Sequence, residues 1–551
     1  MKFLYCFFYI SVISLTYAQP DITAFINGKI YTVNEKQPLA EAVVIQGNKI
    51  LFVGTNDDYA KHVNNESVII DLQGKLMLPG FIDNHTHFIS GGFYLNGIDL
   101  RSAKTTTEFI NLIKDYAELN PGKWITGGNW DHEAWEKKVY PCKEWIDEFT
   151  PNTPVFVDRF DGHMGIANSY ALKLAGITKE TESPAGGFIE KDPITGEPTG
   201  ILKDNAMSLV YRVVPDGSDD DYYQAGLTAL DEAKSLGVTS IQDITYSKDL
   251  EIYKKLESEN KLTCRIYTRT PLYDYKSLVK ENIKVGTGNS YLKMGGLKAF
   301  ADGSLGSSSA LFFEPYENEP ENCGLAMEIL SNGNLKKWAM EADKNNLQIC
   351  VHAIGDSANS EMLSIYEEIV KTNPEWDRRF RIEHSQHVRF EDIDRFAKLG
   401  VIASVQPYHC IDDGVWAEKR IGKERIKYTY PFRTFLDKGV HLCFGSDWTV
   451  APLNPILGIY AAVTRRTLDG KNPGGWLPEQ KLTVEEAVKC YTINNAYASF
   501  DEKVKGSIEP GKLADLVVLS DDIFTIAPEN IRNVKVIMTI FDGKVIYQVN
   551  K

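Results

Sequence analysis

The 551-residue sequence contains only eight cysteines, and no two of them are spaced as CxxC. A zinc ribbon or a dithiol redox site is therefore not supported. Cys6 lies within the first 18 residues, and the seven cysteines that follow are an odd number, so at least one thiol stays free. A chain of this length does not need a disulfide framework to be stable.

The sequence also lacks any cluster of lysine and arginine, and its net charge is −15. Because phosphate backbones attract basic surfaces, we expect no nucleic-acid partner. The glycine-rich run that begins at Asp302 lacks the GK[ST] ending of a nucleotide-binding loop. The whole chain is 43% apolar and 25% charged. Both values are close to globular averages, which argues against a disordered or fibrous chain.

Only one apolar run stands apart from the rest, and it lies at the N-terminus. Residues 3–15 follow Met1-Lys2 and precede Thr16-Tyr17-Ala18, a pattern typical of a cleaved signal peptide that spans residues 1–18. The run is shorter than the roughly 20 residues that a membrane-spanning helix requires. We therefore expect a secreted or periplasmic protein with no membrane partner after cleavage.

Both ends of the chain are rich in short strands separated by turns such as Asn27-Gly28 and Asp542-Gly543. This shared pattern predicts one small β-sandwich domain formed by residues 19–78 and 505–551. The middle, residues 79–504, alternates strand-like and helical runs, as parallel α/β proteins do. Eight strand candidates, the number a (β/α)8 TIM-like barrel requires, lie at residues 79–84, 239–244, 262–267, 292–300, 348–352, 380–384, 401–405 and 442–447.

The interval between the first and second strand candidates is far longer than a connecting helix needs. We interpret residues 104–236 as a large insertion that forms a lid or cap. Long loops after barrel strands lie at the carboxyl ends of the strands, where barrel enzymes carry out their chemistry. The cap is therefore expected to shape a pocket for a small-molecule substrate.

Histidine and aspartate recur where the strand candidates end. His85 and His87 follow the first strand in an HxH pair, and residues at i and i+2 of an extended chain point the same way. His352, His384 and Asp447 end the fifth, sixth and eighth candidates. Since the carboxyl ends of barrel strands converge on one face, these side chains are expected to lie close together.

Lys298 is a further candidate, placed within the apolar fourth strand. A buried ammonium is energetically costly, so this lysine requires an explanation. One explanation is an ion pair with an acid such as Asp302. The other is a neutral amine that captures carbon dioxide and becomes a carbamate able to bridge two metal ions.

These motifs, in this order, resemble the amidohydrolase superfamily and its YtcJ-like branch (amidohydrolase family 3). The resemblance rests on Leu78-Pro-Gly-Phe-Ile-Asp-Asn-His85-Thr-His87, Lys298-Ala-Phe-Ala-Asp-Gly-Ser, Val351-His352-Ala-Ile-Gly-Asp, Ile382-Glu-His384 and Gly445-Ser-Asp447. Arg159-Phe-Asp-Gly-His163 and Gly506-Ser-Ile-Glu-Pro-Gly support it. It implies a (β/α)8 barrel beside a small β-sandwich, with a divalent-metal hydrolytic site.

The resemblance also implies a role for each matching residue. One ion would be held by His85, His87 and Asp447, and carboxylated Lys298 would bridge it to a second ion. His352 and His384 would hold that second ion. Nitrogen and oxygen ligands suit Zn2+ best, with Mn2+ and Fe2+ as alternatives. If Lys298 is not carboxylated, a site with a single metal ion remains an alternative.

The expected reaction is hydrolysis of a carbon–nitrogen bond other than a peptide bond, in a small amide or formamide-like substrate. A metal-activated hydroxide would attack the carbonyl group. Asp447 would take the proton from the water and pass it to the leaving amine. His163 or another cap residue would steady the oxyanion.

Two alternative functions remain open from the sequence alone. The same site could hydrolyse a lactone or a phosphoester, or the barrel could belong to a non-catalytic binding protein. The second alternative predicts that a ligand residue is missing, and none is. The substrate's identity and the oligomeric state, a homo-oligomer included, are not indicated by any residue pattern.

Overall fold

The computed structural model describes residues 22–132, 135–159, 164–184, 187–306 and 308–549. The predicted signal peptide and His163 lie outside these residues. Within these ranges no helix has both the length and the apolar character that a membrane span requires. The seven cysteines in the same ranges are all free thiols, five of them buried.

The centre of the molecule is a parallel barrel. Its eight main strands, in chain order and in the order of their pairing, are Phe81–Thr86, Val238–Ile244, Arg265–Pro271, Leu292–Phe300, Gln348–Ala353, Arg381–His384, Ile402–Val405 and Leu442–Phe444. A short strand, Thr287–Gly288, pairs antiparallel with the fourth. The predicted (β/α)8 fold class is therefore confirmed.

The barrel closes between its eighth and first strands through contacts beyond the strand ladder. The backbone N–H of Asp447 donates to the carbonyl oxygen of His85 at 2.8 Å. The Asn495 side-chain amide donates to the carbonyl oxygens of Ile82 and Phe444, which belong to these two strands. One of these closing hydrogen bonds therefore comes from the backbone of Asp447, whose side chain is a predicted ligand.

The predicted bounds of several strands need correction. The first strand spans Phe81–Thr86 rather than residues 79–84, and the third ends at Pro271 rather than at residue 267. The third strand begins at Arg265 rather than at residue 262, and the eighth ends at Phe444 rather than at Asp447. Asp447 lies three residues beyond this end, and its φ of +57° is in the left-handed region. It therefore lies in the loop after the eighth strand.

Helices follow the strands around the outside of the barrel. Their bounds are Phe88–Asn96, Asp219–Ser235, Ser247–Ser258, Tyr275–Lys280, Glu328–Ser331, Asn334–Asp343, Asp356–Thr372, Phe390–Leu399, Pro407–Asp413, Ala417–Arg425, Phe432–Asp437, Pro455–Thr464, Val484–Cys490 and Ile493–Ala498. The largest apolar core of the described chain lies between these helices and the barrel strands. Gly92 allows the first two helices to touch, because a Cβ there would lie 1.8 Å from the carbonyl oxygen of Ala225.

The two ends of the chain share one sheet. Its six strands, in spatial order, are Lys544–Gln548, Val536–Phe541, Leu516–Leu519, Leu76–Pro79, Lys29–Tyr31 and Leu39–Ala40. A second sheet of four strands contains Lys49–Gly54, Ala42–Gln46, Ile22–Ile26 and Val68–Asp71. The two sheets share an apolar core of their own, which confirms that N- and C-terminal segments join.

The residues between the first and second barrel strands contain a third sheet. Its strands, in spatial order, are Gly187–Lys191, Pro198–Asp204, Met164–Ala167, Val155–Arg159 and Ile125–Trp130. The helices Thr106–Leu119, Glu144–Asp147, Ser169–Leu174 and Ser208–Tyr211 accompany it. Its two apolar cores are separate from the core of the barrel.

Candidate metal centre

The loop that carries His85 and the loop that carries Asp447 are tied together by a buried carboxylate. Asp83 accepts hydrogen bonds from the backbone N–H groups of His85 and Ser446, each at 3.0 Å. The Asp447 N–H bond to His85 O adds a third link between the same two segments. The HxH and Gly-Ser-Asp segments are therefore held in fixed register at the carboxyl ends of the first and eighth strands.

Three predicted ligands from the ends of two strands and from the loop after a third form a compact cluster. One ligand atom each from His85, His384 and Asp447 lies within 4.8 Å of the others, and all three residues are buried. His85 Nε2 lies 3.4 Å from Asp447 Oδ1. His87 Nε2 also lies 3.4 Å from this oxygen, so both members of the HxH pair face one carboxylate.

The two remaining predicted ligands lie against the same cluster. Lys298 Nζ is 3.4 Å from His85 Nε2, and the lysine is 3% exposed. The ring centroids of His352 and His384 are 4.4 Å apart. The structure therefore brings all six residues that the sequence singled out as ligands into one group.

The alternative ion pair between Lys298 and Asp302 does not form. Both oxygens of Asp302 accept backbone hydrogen bonds, from Ile354 N–H at 3.0 Å and from the Gly355 and Leu311 N–H groups at 2.8 Å. Asp302 therefore organises the loops after the fourth and fifth strands.

Hydrogen bonds fix the orientation of the histidine rings. His85 Nδ1 donates to Glu383 Oε2 at 2.6 Å, and His384 Nδ1 donates to Gln406 Oε1 at 2.8 Å. Both rings are left with Nε2 as the unprotonated nitrogen. His352 differs, because its Nε2 donates to the Gly303 carbonyl at 2.9 Å and so leaves Nδ1 free. Such partners select the tautomer of a metal-binding histidine.

Glu383 is the centre of a buried ionic network. Its carboxylate contacts Arg269 Nη1 at 2.5 Å and Arg381 Nε at 3.0 Å, and all three side chains are fully buried. Although burial alone would raise the pKa of Glu383, the two guanidinium groups and His85 hold it well below its usual range. The residue therefore stays ionised and gives His85 Nδ1–H a charged acceptor.

Burial sets the protonation state of the site. It lowers the pKa of His85 to about 3 and that of His352 to about 4, with the nearby Lys298 charge adding to both shifts. Burial also lowers the pKa of Lys298 to about 8. Burial would raise the pKa of Asp447, but the neighbouring histidines hold it well below its usual range. Neutral imidazoles beside an ionised carboxylate are the forms that bind a divalent ion.

Two of the clustered residues have unusual backbone conformations. His384 has a φ of +73° and Asp447 a φ of +57°, both in the left-handed region. For residues other than glycine this conformation costs about 1–3 kcal/mol, and it concentrates at functional sites. The chain therefore maintains strain at two residues that face each other across the cluster.

Sequence reasoning missed several residues that position the site. Asp243, in the second strand, accepts from Phe88 N–H at 2.8 Å and from Thr86 Oγ1 at 3.1 Å, and so holds the turn that carries His87. Asp243 is a polar residue next to the end of a buried strand. The same signal identified the other candidates and could have identified Asp243. Gln406 has no comparable signal, because its role depends on the position of His384.

The other histidines fall into distinct groups. His387 is buried and bonds Thr429 Oγ1 through Nδ1 at 2.8 Å, so it belongs to the packing around the site. His62 stacks on Phe52, and His441 stacks on Tyr497. His409 lies beside His384, with ring centroids 6.4 Å apart.

A (β/α)8 barrel with histidines and an aspartate gathered at the carboxyl ends of its strands is typical of a class of hydrolases. Comparison with known proteins assigns the chain to such a class. The model of an amidohydrolase family matches residues 68–547, so the chain belongs to the amidohydrolase family and is a hydrolase. A solved structure described as an uncharacterized metal-dependent hydrolase from Pyrococcus furiosus has a TM-score of 0.76 at 28% identity. That match covers 92% of this chain and 100% of the other.

Three curated relatives match nearly the whole chain. Protein LONG AFTER FAR-RED 3 of Arabidopsis thaliana is 38% identical, over 95% of this chain and 91% of its own. The putative amidohydrolase YtcJ of Bacillus subtilis is 31% identical, over 95% and 98%. The N-substituted formamide deformylase of Arthrobacter pascens is 28% identical, over 95% and 98%. The expected resemblance to the YtcJ-like branch is thereby confirmed.

Proposed function

We propose that this hydrolase is metal-dependent and cleaves a carbon–nitrogen bond, other than a peptide bond, in a small amide such as an N-substituted formamide. The observation that carries the proposal is the buried cluster of His85, His384 and Asp447. The rings of His85 and His384 each keep Nε2 free because Nδ1 is occupied by a fixed acceptor.

The residues fit a divalent ion. Neutral imidazole nitrogens and a carboxylate oxygen are ligands that favour Zn2+, with Mn2+ and Fe2+ as alternatives. His85, His87 and Asp447 would hold one ion, and His352 and His384 a second, with Lys298 as a carboxylated bridge. The 3.4 Å separation of Lys298 Nζ from His85 Nε2 supports that role. A bound ion would polarise the substrate carbonyl and activate a water molecule.

The side chains of the chain itself then manage the proton. Asp447 is ionised and adjacent to both His85 and His87, so it can accept the proton of the attacking water. As the carbon–nitrogen bond breaks, Asp447 returns this proton to the leaving nitrogen. Glu383 keeps His85 oriented throughout, because its carboxylate remains charged.

The choice of an amide is supported by the relatives. The Arthrobacter pascens protein is named for N-substituted formamides, and it aligns with 95% of this chain. This relative makes N-substituted formamides the first substrates to test. Lactones and phosphotriesters belong in the same panel as the alternative substrates of an activated water.

We also propose that the protein is exported and works outside the cytoplasm. The support is the charged start, apolar core and Thr16-Tyr17-Ala18 sequence at the N-terminus. Determination of the N-terminal residue of the protein isolated from its native host tests this. A mature chain that starts at Gln19 is expected, and an intact Met1 on a cytoplasmic chain would contradict it.

The catalytic proposal is tested by replacing Asp447 with asparagine. We expect Asp447→Asn to remove most turnover of N-substituted formamides, since the amide cannot accept the proton, while far-ultraviolet circular dichroism stays unchanged. Asp58→Asn, in the terminal domain, is the matched control. Turnover at the wild-type level in Asp447→Asn would show that another group is the base.

A further inference from the structure

His409 carries an unexplained polar atom beside the candidate metal centre. It belongs to the helix Pro407–Asp413, directly after the seventh barrel strand. Its ring lies nearly parallel to that of His384, with 6.4 Å between centroids and 9° between planes. Its Nε2 has no solvent contact and no hydrogen-bond partner among the residues that the structure describes.

Such an atom is energetically unfavourable. A buried polar group without a partner costs about 1–3 kcal/mol, so native proteins keep few of them. The neighbouring histidines do not share this feature. His85, His384 and His352 each have one nitrogen bonded to an acceptor and the other free to face the cluster.

Amide hydrolysis requires a hydrogen-bond donor for the carbonyl oxygen of the substrate. When water adds to the carbonyl carbon, negative charge develops on the carbonyl oxygen, and donors fixed in advance stabilise it. His85, His384 and His352 have their N–H groups committed to Glu383, Gln406 and Gly303. The fourth described histidine of the cluster, His87, faces the Asp447 carboxylate through Nε2 at 3.4 Å. As a carbamate, Lys298 would be an anion, and its charge would repel an oxyanion rather than stabilise it.

We propose that His409 Nε2–H donates a hydrogen bond to the carbonyl oxygen of the bound amide and to the oxyanion that forms from it. The proposal rests on the proposed function. His409 keeps its proton throughout, since the proton of the water moves through Asp447. In this scheme a barrel residue stabilises the oxyanion, in place of the cap residue His163 that the sequence suggested.

Three substitutions of His409 distinguish a hydrogen-bonding role of this side chain from a packing role. In His409→Gln, the side-chain amide nitrogen can reach the position of Nε2 and still donate. In His409→Asn, the shorter amide reaches only the position of Nδ1. His409→Leu keeps much of the volume and donates nothing. His62→Gln, at a ring that stacks on Phe52 in the terminal domain, is the matched control.

The expected pattern covers activity, metal content and stability. The kcat for an N-substituted formamide should fall about 100- to 1000-fold in His409→Leu and His409→Asn, the usual effect of removing one oxyanion donor. His409→Gln should stay within about 10-fold of the wild type. Metal content should not change, and the unfolding temperature of His409→Leu should be no lower than that of the wild type, because a buried unpaired nitrogen is removed.

A binding measurement separates this inference from the proposed function. Calorimetry with methylphosphonate, a stable tetrahedral anion, on zinc-loaded full-length protein should give a dissociation constant at least about 10-fold weaker in His409→Leu, and near wild type in His409→Gln. If the wild type hydrolyses no amide but shows this pattern, the proposed function fails, and His409 stands as a donor to a tetrahedral anion formed from another substrate. Wild-type kcat and methylphosphonate affinity in His409→Leu would overturn the inference. Equal destabilisation by all three substitutions, or loss of metal, would also overturn it.

Discussion

Replacement of Glu383 by glutamine should destabilise the fold and weaken the metal centre together. The carboxylate contacts His85 Nδ1 at 2.6 Å, Arg269 Nη1 at 2.5 Å and Arg381 Nε at 3.0 Å, and none of these groups reaches solvent. Glu383→Gln keeps the size of the side chain but leaves two buried guanidinium charges without an anion.

Breaking a buried ion pair from one side costs about 3–5 kcal/mol. We expect a loss of this size in the free energy of unfolding of the metal-free protein. Because the native pKa of Glu383 lies below its unfolded value, its stabilisation is present above about pH 4.3. The difference between wild type and variant should therefore shrink as the pH falls through and below that value. The weaker acceptor for His85 should also reduce metal affinity about 10- to 100-fold.

Urea unfolding followed by tryptophan fluorescence measures the first effect, and competition with a chelator measures the second. Glu391→Gln is the matched control, because Glu391 is 64% exposed and its ion pair with Arg389 is worth about 1 kcal/mol or less. Glu383→Gln with the stability and metal affinity of the control would refute the assigned network.

Further predictions follow from other contacts of the site and of the fold. Gln406→Leu should lower metal affinity about 10- to 100-fold while leaving the fold intact, since His384 Nδ1 loses its acceptor; chelator competition measures it. Lys298→Met should abolish the carbamate carbon signal that 13C-bicarbonate is expected to give in the wild type by nuclear magnetic resonance. Asp515→Asn should cost about 1.5–3 kcal/mol, because Asp515 receives two hydrogen bonds from the buried Arg265, which keeps Asp542 as its remaining anionic partner. Urea unfolding measures it, and a change below about 1 kcal/mol would contradict the assigned contact.

The sequence was sufficient to predict the barrel and its candidate ligands because both depend on local patterns. Buried parallel strands appear as apolar runs, and the residue at the end of each run is the one that faces the site. His85, His352 and His384 follow this rule. Asp447 follows it only approximately, since its left-handed backbone places it three residues beyond the eighth strand.

The contacts that orient the ligands could not be predicted in this way. Glu383 and Arg269 are adjacent only because the third and sixth strands bring their side chains into one barrel interior. Gln406 matters because of a single 2.8 Å contact with a residue 22 positions earlier. Such contacts depend on register and side-chain direction, which no local pattern encodes.

The most direct test of the account is the metal content of the purified full-length protein, measured together with turnover. We predict between one and two equivalents of a divalent ion, zinc foremost, with amide hydrolysis lost on chelation and restored by Zn2+. His85→Asn and His384→Asn should each lower the metal content. Less than half an equivalent of metal, with no turnover after reconstitution, would contradict the account.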